Sequence, residues 1–377
     1  MGNADAAVTA GEYYSNGTLV PKDAVKARAL FETASATGHA RGQYRLSVCL
    51  LEGTGGAADA AAGVRLLIRA ADSGEPLAEA HLGGLYATGR YVERDAAKAL
   101  TYLSRAAGKD DPNGLYQLGL LNLNGTGIAA DVERATELLT RASDLGQTDA
   151  AYALGEMYHT GRIGPVNIAA AVKQFYRAAS KGHPAAQRMM GDYTLNGTGV
   201  KQNDVSAAKW YLMAANGGDA TAMSRYGHCL RNGPGLGREL KAAFGQHKKS
   251  ADLGDPDGRV NYGICLETGT ETAQNKSAAF KQYQQASATG HALGAYRLGL
   301  CYRDGIGTAA NATLAFKAFL DAANRNNIDA QYETGVCYEK GLGTDPNGRE
   351  ALEWYKKASR AGHLEARKKV TASGSPW

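Results

Sequence analysis

The sequence predicts an all-α fold: an α/α superhelical solenoid of ten 36-residue helix-loop-helix repeats with a C-terminal half-repeat as cap. Two observations predict it. A small residue returns every 36 positions, as Gly11, Ser47, Gly83, Gly119, Gly155, Gly191, Gly227, Gly263, Gly299 and Gly335, with no insertion or deletion. Six residues after each stands a glycine, from Gly17 and Gly53 through to Gly341. A fixed period of about 20–50 residues marks a chain whose units bury their apolar faces only against their neighbours. Residues 4–371 are therefore expected to form one solenoid and 372–377 a flexible tail.

Within a repeat the first helix carries the periodic small residue in its interior. A glycine there costs about 1 kcal/mol relative to alanine, so something must compensate. Five residues earlier every repeat again has Ala or Gly, from Ala6 and Gly42 to Ala330, and the pattern predicts close approach of a neighbouring backbone. The invariant glycine fits a left-handed C-cap. The second helix opens on an N-cap aspartate or asparagine, among them Asp23, Asp131, Asn203 and Asn347, with Glu239 as the exception; such side chains accept from the unpaired first N–H groups. It then runs through an alanine row (Ala27 to Ala351), a large apolar row four positions on (Phe31, Leu67, Tyr211, Tyr355) and a second alanine row three further (Ala34 to Ala358). That spacing is a helical stripe. Gly38, Gly74, Gly254 and their equivalents close it, and Pro76, Pro112, Pro184 and Pro256 suit the first turn of the next helix.

The net charge of +5 is spread over all repeats, against the concentrated basic stripe of a nucleic-acid surface. No apolar run approaches the length of about 18 residues needed to span a membrane. The start, Met1-Gly2-Asn3-Ala4-Asp5-Ala6, predicts neither a signal peptide nor a myristoylation site. Cys49, Cys229, Cys265, Cys301 and Cys337 share one slot, two residues after the small residue, where other repeats have Tyr13, Leu85 or Met157. Equivalent helices stand roughly 8–10 Å apart, too far for a disulfide. The slot predicts reduced core thiols and hence a reducing, cytoplasmic compartment.

Units such as Tyr152-Ala153-Leu154-Gly155-Glu156-Met157-Tyr158 with Gly161, and Trp354-Tyr355-Lys356-Lys357-Ala358, resemble the Sel-one-like repeat, a relative of the 34-residue tetratricopeptide unit. The resemblance runs from about Ala4 to Thr371. It implies a right-handed superhelical adaptor that holds other proteins together. One branch of that family, secreted and cysteine-rich, is linked to β-lactam binding, and its units carry paired cysteines that staple each hairpin; this chain has at most one cysteine per repeat and departs from it.

Several motifs read as structural. Gly233-Pro234-Gly235-Leu236-Gly237 looks like a phosphate loop, but no strand precedes it and its equivalents recur. His39, His183, His291 and His363 follow closing glycines and read as caps rather than metal ligands. His247 and Ser250 replace the aromatic and alanine of repeat seven, yet Cys229 and His247 differ in helical height by roughly 5–8 Å, so a Cys–His dyad is not expected. The sequons at Asn16, Asn124, Asn196, Asn275 and Asn311 are accounted for largely by turn chemistry.

The variable stripe of the first helix, at −6, −2, +1 and +5 from the small residue, is the functional candidate. In repeats two and three it includes Arg45 and His81; in repeats eight to ten it carries Ile264, Leu300 and Val336, flanked by Asn261, Arg297 and Glu333. The expected function is a non-enzymatic scaffold binding a protein or peptide on the concave face, without cofactor, metal, nucleic acid or membrane insertion. A further contact through the first repeat is expected, because no cap precedes it. Two other readings stand beside it: a hydrolase of the lactam-binding type, and an engineered or purely structural repeat protein without a specific ligand.

Overall fold

A computed structural model describes residues 2–233 and 237–373. Residues 234–236 of the glycine loop and 374–377 of the expected tail lie outside the described residues. Among the described residues there are helices and no strand. The chain divides into two compact units, Met1–His183 and Pro184–Trp377, at a repeat boundary. The first holds α1 (Gly2–Asn16), α2 (Ala24–Ala36), α3 (Ala40–Glu52), α4 (Ala60–Asp72), α5 (Pro76–Thr88), α6 (Ala96–Gly108), α7 (Pro112–Asn124), α8 (Val132–Asp144), α9 (Thr148–Thr160) and α10 (Ile168–Ser180). The second holds α11 (Pro184–Asn196), α12 (Asp204–Asn216), α13 (Ala220–Asn232), α14 (Leu240–Asp252), α15 (Pro256–Thr268), α16 (Lys276–Ala288), α17 (Ala292–Asp304), α18 (Ala312–Asn324), α19 (Ile328–Lys340), α20 (Gly348–Arg360) and α21 (Leu364–Ala372). Odd-numbered helices are the first helices of the repeats and even-numbered ones the second; α21 stands alone as the half-repeat. The architecture is a helical solenoid.

Helix ends fall where their chemistry dictates. Asp23 accepts from the Lys26 N–H and Asp131 from the Arg134 N–H, as do Asn203 from Ser206 and Asn311 from Leu314. Glu239 makes no such bond. Gly53 and Gly161, both at φ 72°, close α3 and α9 in the left-handed conformation. His39, His291 and His363 cap the next first helices through Nδ1. Their Nε2 atoms reach Asp5, Asp257 and Asp329 in the preceding repeat, at 2.9, 3.1 and 3.7 Å. The capping role is therefore coupled to a link between repeats.

The periodic small residue is explained differently from the sequence expectation. No backbone lies on it first; the large side chain of its own second helix does. A β-carbon placed on Gly155 would stand 2.6 Å from the Phe175 ring, and one on Gly191 2.5 Å from the Tyr211 ring. Gly83 and Gly119 hold Leu103 and Leu139 in the same way, while Gly263, Gly299 and Gly335 hold Tyr283, Phe319 and Tyr355. Phe175, Tyr211, Tyr283 and Phe319 are fully buried in these seats. The close backbone approach belongs instead to the row five residues earlier: at Gly114 and Gly294 a β-carbon would meet the Ala106 and Ala286 side chains at 2.6 and 2.7 Å, with backbone of that second helix at about 3 Å. One row seats a ring within a repeat, and the other joins a repeat to the one before it.

The two effects of glycine are separable by substitution. Gly155→Ala gains about 1 kcal/mol of helix propensity but overpacks a filled seat, at a cost of about 1–3 kcal/mol. Gly245, inside α14, has open space where a β-carbon would stand, with nothing within 4 Å. Thermal and urea denaturation should show Gly245→Ala stabilised by up to about 1 kcal/mol and Gly155→Ala destabilised; a stabilised Gly155→Ala would contradict the seat.

Candidate functional site

The first-helix stripe places the predicted residues as follows. Ile264, Leu300 and Val336 are half-buried. Ile264 packs against the cluster of Val260, Tyr283 and Leu298, Leu300 against Phe319 and Cys337, and Val336 against Tyr355 and Val370. Each contributes to repeat packing and still offers part of its surface. Asn261 donates to Ser224 Oγ at 3.1 Å, and Glu333 pairs with Arg303 at 2.9 Å. Arg45 is bound to Glu12 at 2.7 Å. His81 lies edge-on to Tyr44, and burial lowers its pKa. Arg297 keeps a buried Nε without a hydrogen-bond partner. The structure brings Asn261 together with a group of side chains that the sequence pattern does not single out, in a cavity of about 360 Å³.

That cavity lies across α11, α13 and α15. Its floor is Leu195, the Tyr211 ring and Cys229, and its walls are Ser224, Arg225, His228, Asn232, Asp257 and Asn261. Arg225 Nε reaches Asp192 Oδ1 at 3.2 Å, and the Tyr211 hydroxyl donates to the same oxygen at 2.7 Å. His228 and Asn232 are joined at 2.7 Å. Burial and the nearby Arg231 and Arg225 lower the His228 pKa. Asp257 is held below its usual range by His291. Polar walls of both signs over an apolar floor suit a peptide-sized ligand. All of these wall residues except Ser224 sit on the same −6, −2, +1 and +5 stripe; the signal lies in the register, and an apolar row alone does not pick them out.

A smaller niche of about 90 Å³ repeats the construction between α1 and α3. Phe31 stands for Tyr211, Glu12 for Asp192, Arg45 for Arg225 and Cys49 for Cys229, at the same repeat positions.

The Sel1 repeat profile matches ten consecutive stretches, from residues 4–39 through 328–363. The chain belongs to the Sel1 repeat family. A protective antigen of uropathogenic Escherichia coli with an SLR fold superposes at a TM-score of 0.57 and 24% identity, covering 98% of this chain and 88% of that one. A Sel1 repeat protein from Oxalobacter formigenes is 26% identical, with a TM-score of 0.42 over 91% of this chain and 88% of that one. A putative Sel1 repeat protein from Klebsiella pneumoniae is 20% identical, with a TM-score of 0.39 over 53% of this chain and 98% of its own. The first of these shows the shared fold. No curated protein sequence matches the chain. Sel1 repeat proteins generally serve as protein-interaction scaffolds.

In this Sel1 repeat chain all five cysteines are buried and free. Burial pushes the thiols of Cys229, Cys265 and Cys337 up to about 11 and that of Cys301 to about 12, which leaves almost no thiolate at neutral pH. His247 fills the seat on Gly227, fully buried, and neither ring nitrogen has a hydrogen-bond partner. It therefore makes no bond to Cys229, and the dyad is absent. Ser250 donates to the Ala220 carbonyl at 2.7 Å and lies 3.2 Å from Asp255 Oδ1. Among the described residues no group of three or more His, Cys, Asp and Glu side chains is placed to hold a metal ion.

Two measurements follow from these groups. Thiol titration of the denatured, non-reduced chain should count five thiols, and the native chain should react far more slowly; a count of three or one would contradict free core thiols. The second concerns pH. Burial, with Arg231 and His228 nearby, depresses His247 to about 3 in the folded chain, against about 6.5 when unfolded. Stability is intact above pH 6.5 and falls as the unfolded chain takes up a proton that the folded chain refuses. The loss is about 1.4 kcal/mol per pH unit below that point. His247→Phe should unfold with a visibly shallower dependence between pH 6.5 and 4; parallel curves would contradict it.

Proposed function

We propose that the chain is a non-enzymatic scaffold whose first-helix stripe binds a segment of a partner protein. The observation that carries this reading is the half-exposed row of Ile264, Leu300 and Val336 running on from the polar cavity of α11, α13 and α15, on one four-position stripe. Apolar positions one repeat apart supply anchors, and Asn261, Arg297, Glu333 and the cavity walls supply orientation. Arg45 and His81 hold the same register in the first unit. Core thiols with raised pKa and a partnerless His247 favour binding over catalysis. Five unpaired thiols also support a reducing compartment such as a cytoplasm. Partner identity is set by chemistry that reads this stripe: a protein segment rather than nucleic acid, given the balanced charges of the face.

The test is one substitution read two ways. Glu333 faces position 300 from the next repeat, as Arg45 faces Glu12, so a carboxylate at 300 would meet a carboxylate. The neutral Leu300→Gln avoids this, and the fold tolerates polar residues at this position, as Glu156 and His228 show. Leu300→Gln should cost about 1–2 kcal/mol of stability, as expected for half-buried packing. It should abolish capture of the partner that the unmodified chain retains from the source cell. Retained capture with unchanged affinity would overturn the stripe as the binding face.

A further inference from the structure

Three repeats carry arginine two residues before the small residue: Arg45, Arg225 and Arg297. Each faces the residue just after the small residue in the preceding repeat, and these are Glu12, Asp192 and Ile264. In the first two cases the pair is closed. Arg45 reaches Glu12 at 2.7 Å and Arg225 reaches Asp192 at 3.2 Å. In the third, isoleucine occupies the carboxylate's place. Among the described residues Arg297 forms no ion pair, and its Nε is buried without a partner. Glu267, on the same helix as Ile264, accepts from the Tyr283 hydroxyl at 2.6 Å. A partly desolvated guanidinium with open donors is costly, and its rigid fork matches a carboxylate.

Two repeats thus show what an arginine at this position holds, and the third lacks it. Resting on the partner-binding reading above, we propose that Arg297 receives a glutamate or aspartate side chain from the partner segment, in the place that Glu12 and Asp192 fill in their own repeats. The half-exposed Ile264 and Leu300 on either side take the aliphatic stem, and the head group lies on the guanidinium. The site is selective for an acidic residue with methylenes, because a neutral amide oxygen can accept from Arg297 but leaves its charge uncompensated and its fork half filled. A side-chain carboxylate is favoured over a chain end because both internal precedents are side chains.

The test uses the full chain and blocked amino acids. The Nε–H resonance of Arg297, identified by its loss in Arg297→Lys, is followed by NMR during titration with N-acetyl-glutamate N-methylamide, N-acetyl-glutamine N-methylamide and N-acetyl-leucine. The glutamate probe should shift it saturably, at least about tenfold more tightly than the glutamine probe, and N-acetyl-leucine should be the weaker carboxylate. Ile264→Glu should melt at or above Ile264→Gln and abolish the glutamate-induced shift, having restored the pair. Equal shifts from glutamate and glutamine, a stronger effect from N-acetyl-leucine, or an Ile264→Glu chain that melts below Ile264→Gln would overturn the proposal. Partner capture separates the two levels. Loss with Leu300→Gln but not with Arg297→Gln discards the acidic subsite and keeps the face, whereas indifference to Leu300→Gln discards the face itself.

Discussion

A ring or leucine lying on a bare helical backbone is the interaction on which each repeat depends. The first helix gives up a β-carbon, at a cost in propensity of about 1 kcal/mol, and the second helix fills that space with Phe175, Tyr211, Tyr283 or Phe319, all fully buried. Burying such a side chain is worth about 1.5–3 kcal/mol, so the exchange is favourable wherever a glycine faces an apolar ring or a leucine; Ser47 in repeat two and His247 in repeat seven are the departures. It also fixes the rotation of the first helix about its axis. Once the glycine must face the second helix, the −6, −2, +1 and +5 positions are turned away from that seat and are only partly taken up by packing between repeats.

That partial release explains where polar groups gather. The hydroxyls of Tyr211, Tyr283 and Tyr355 pass over their glycines to Asp192, Glu267 and Glu339 on the first helix. The carboxylates are thereby held in place from behind. In two repeats an arginine from the following repeat closes on such a carboxylate or its equivalent, and a cavity opens beside the pair. Where His247 takes the ring seat no hydroxyl is available, and burial, with Arg231 and His228 on the first helix nearby, keeps the imidazole neutral. The same geometry thus yields niches of different chemistry from one repeat to the next.

Most of the fold is legible in the residues because each device is local. Asp23 or Asn311 marks a helix start, Gly53 or Gly161 a helix end, and the 36-residue recurrence does the rest. The cysteine slot is legible for the same reason. What periodicity cannot reveal is which partner fills a glycine's empty space, since a backbone and a ring twenty positions away are equally compatible with a small residue. Candidate sites are legible only as a register. Ile264, Leu300 and Val336 stand out as an apolar row, whereas Arg225, His228 and Asp257 become a cavity wall only when α13 and α15 are set side by side. Arg297 reads in the sequence as a polar flank; its lack of a partner emerges only by comparison with Arg45 and Arg225 in space.

The seat is most directly tested by a double-mutant cycle on Gly155 and Phe175. Gly155→Ala, Phe175→Ala and the double variant are compared by urea denaturation. If the ring on the glycine fixes the repeat, Gly155→Ala destabilises the parent chain but becomes neutral or stabilising in the Phe175→Ala background, with a coupling of about 1–3 kcal/mol. An equal cost of Gly155→Ala in both backgrounds would show that something other than the ring requires the glycine, and would contradict the account.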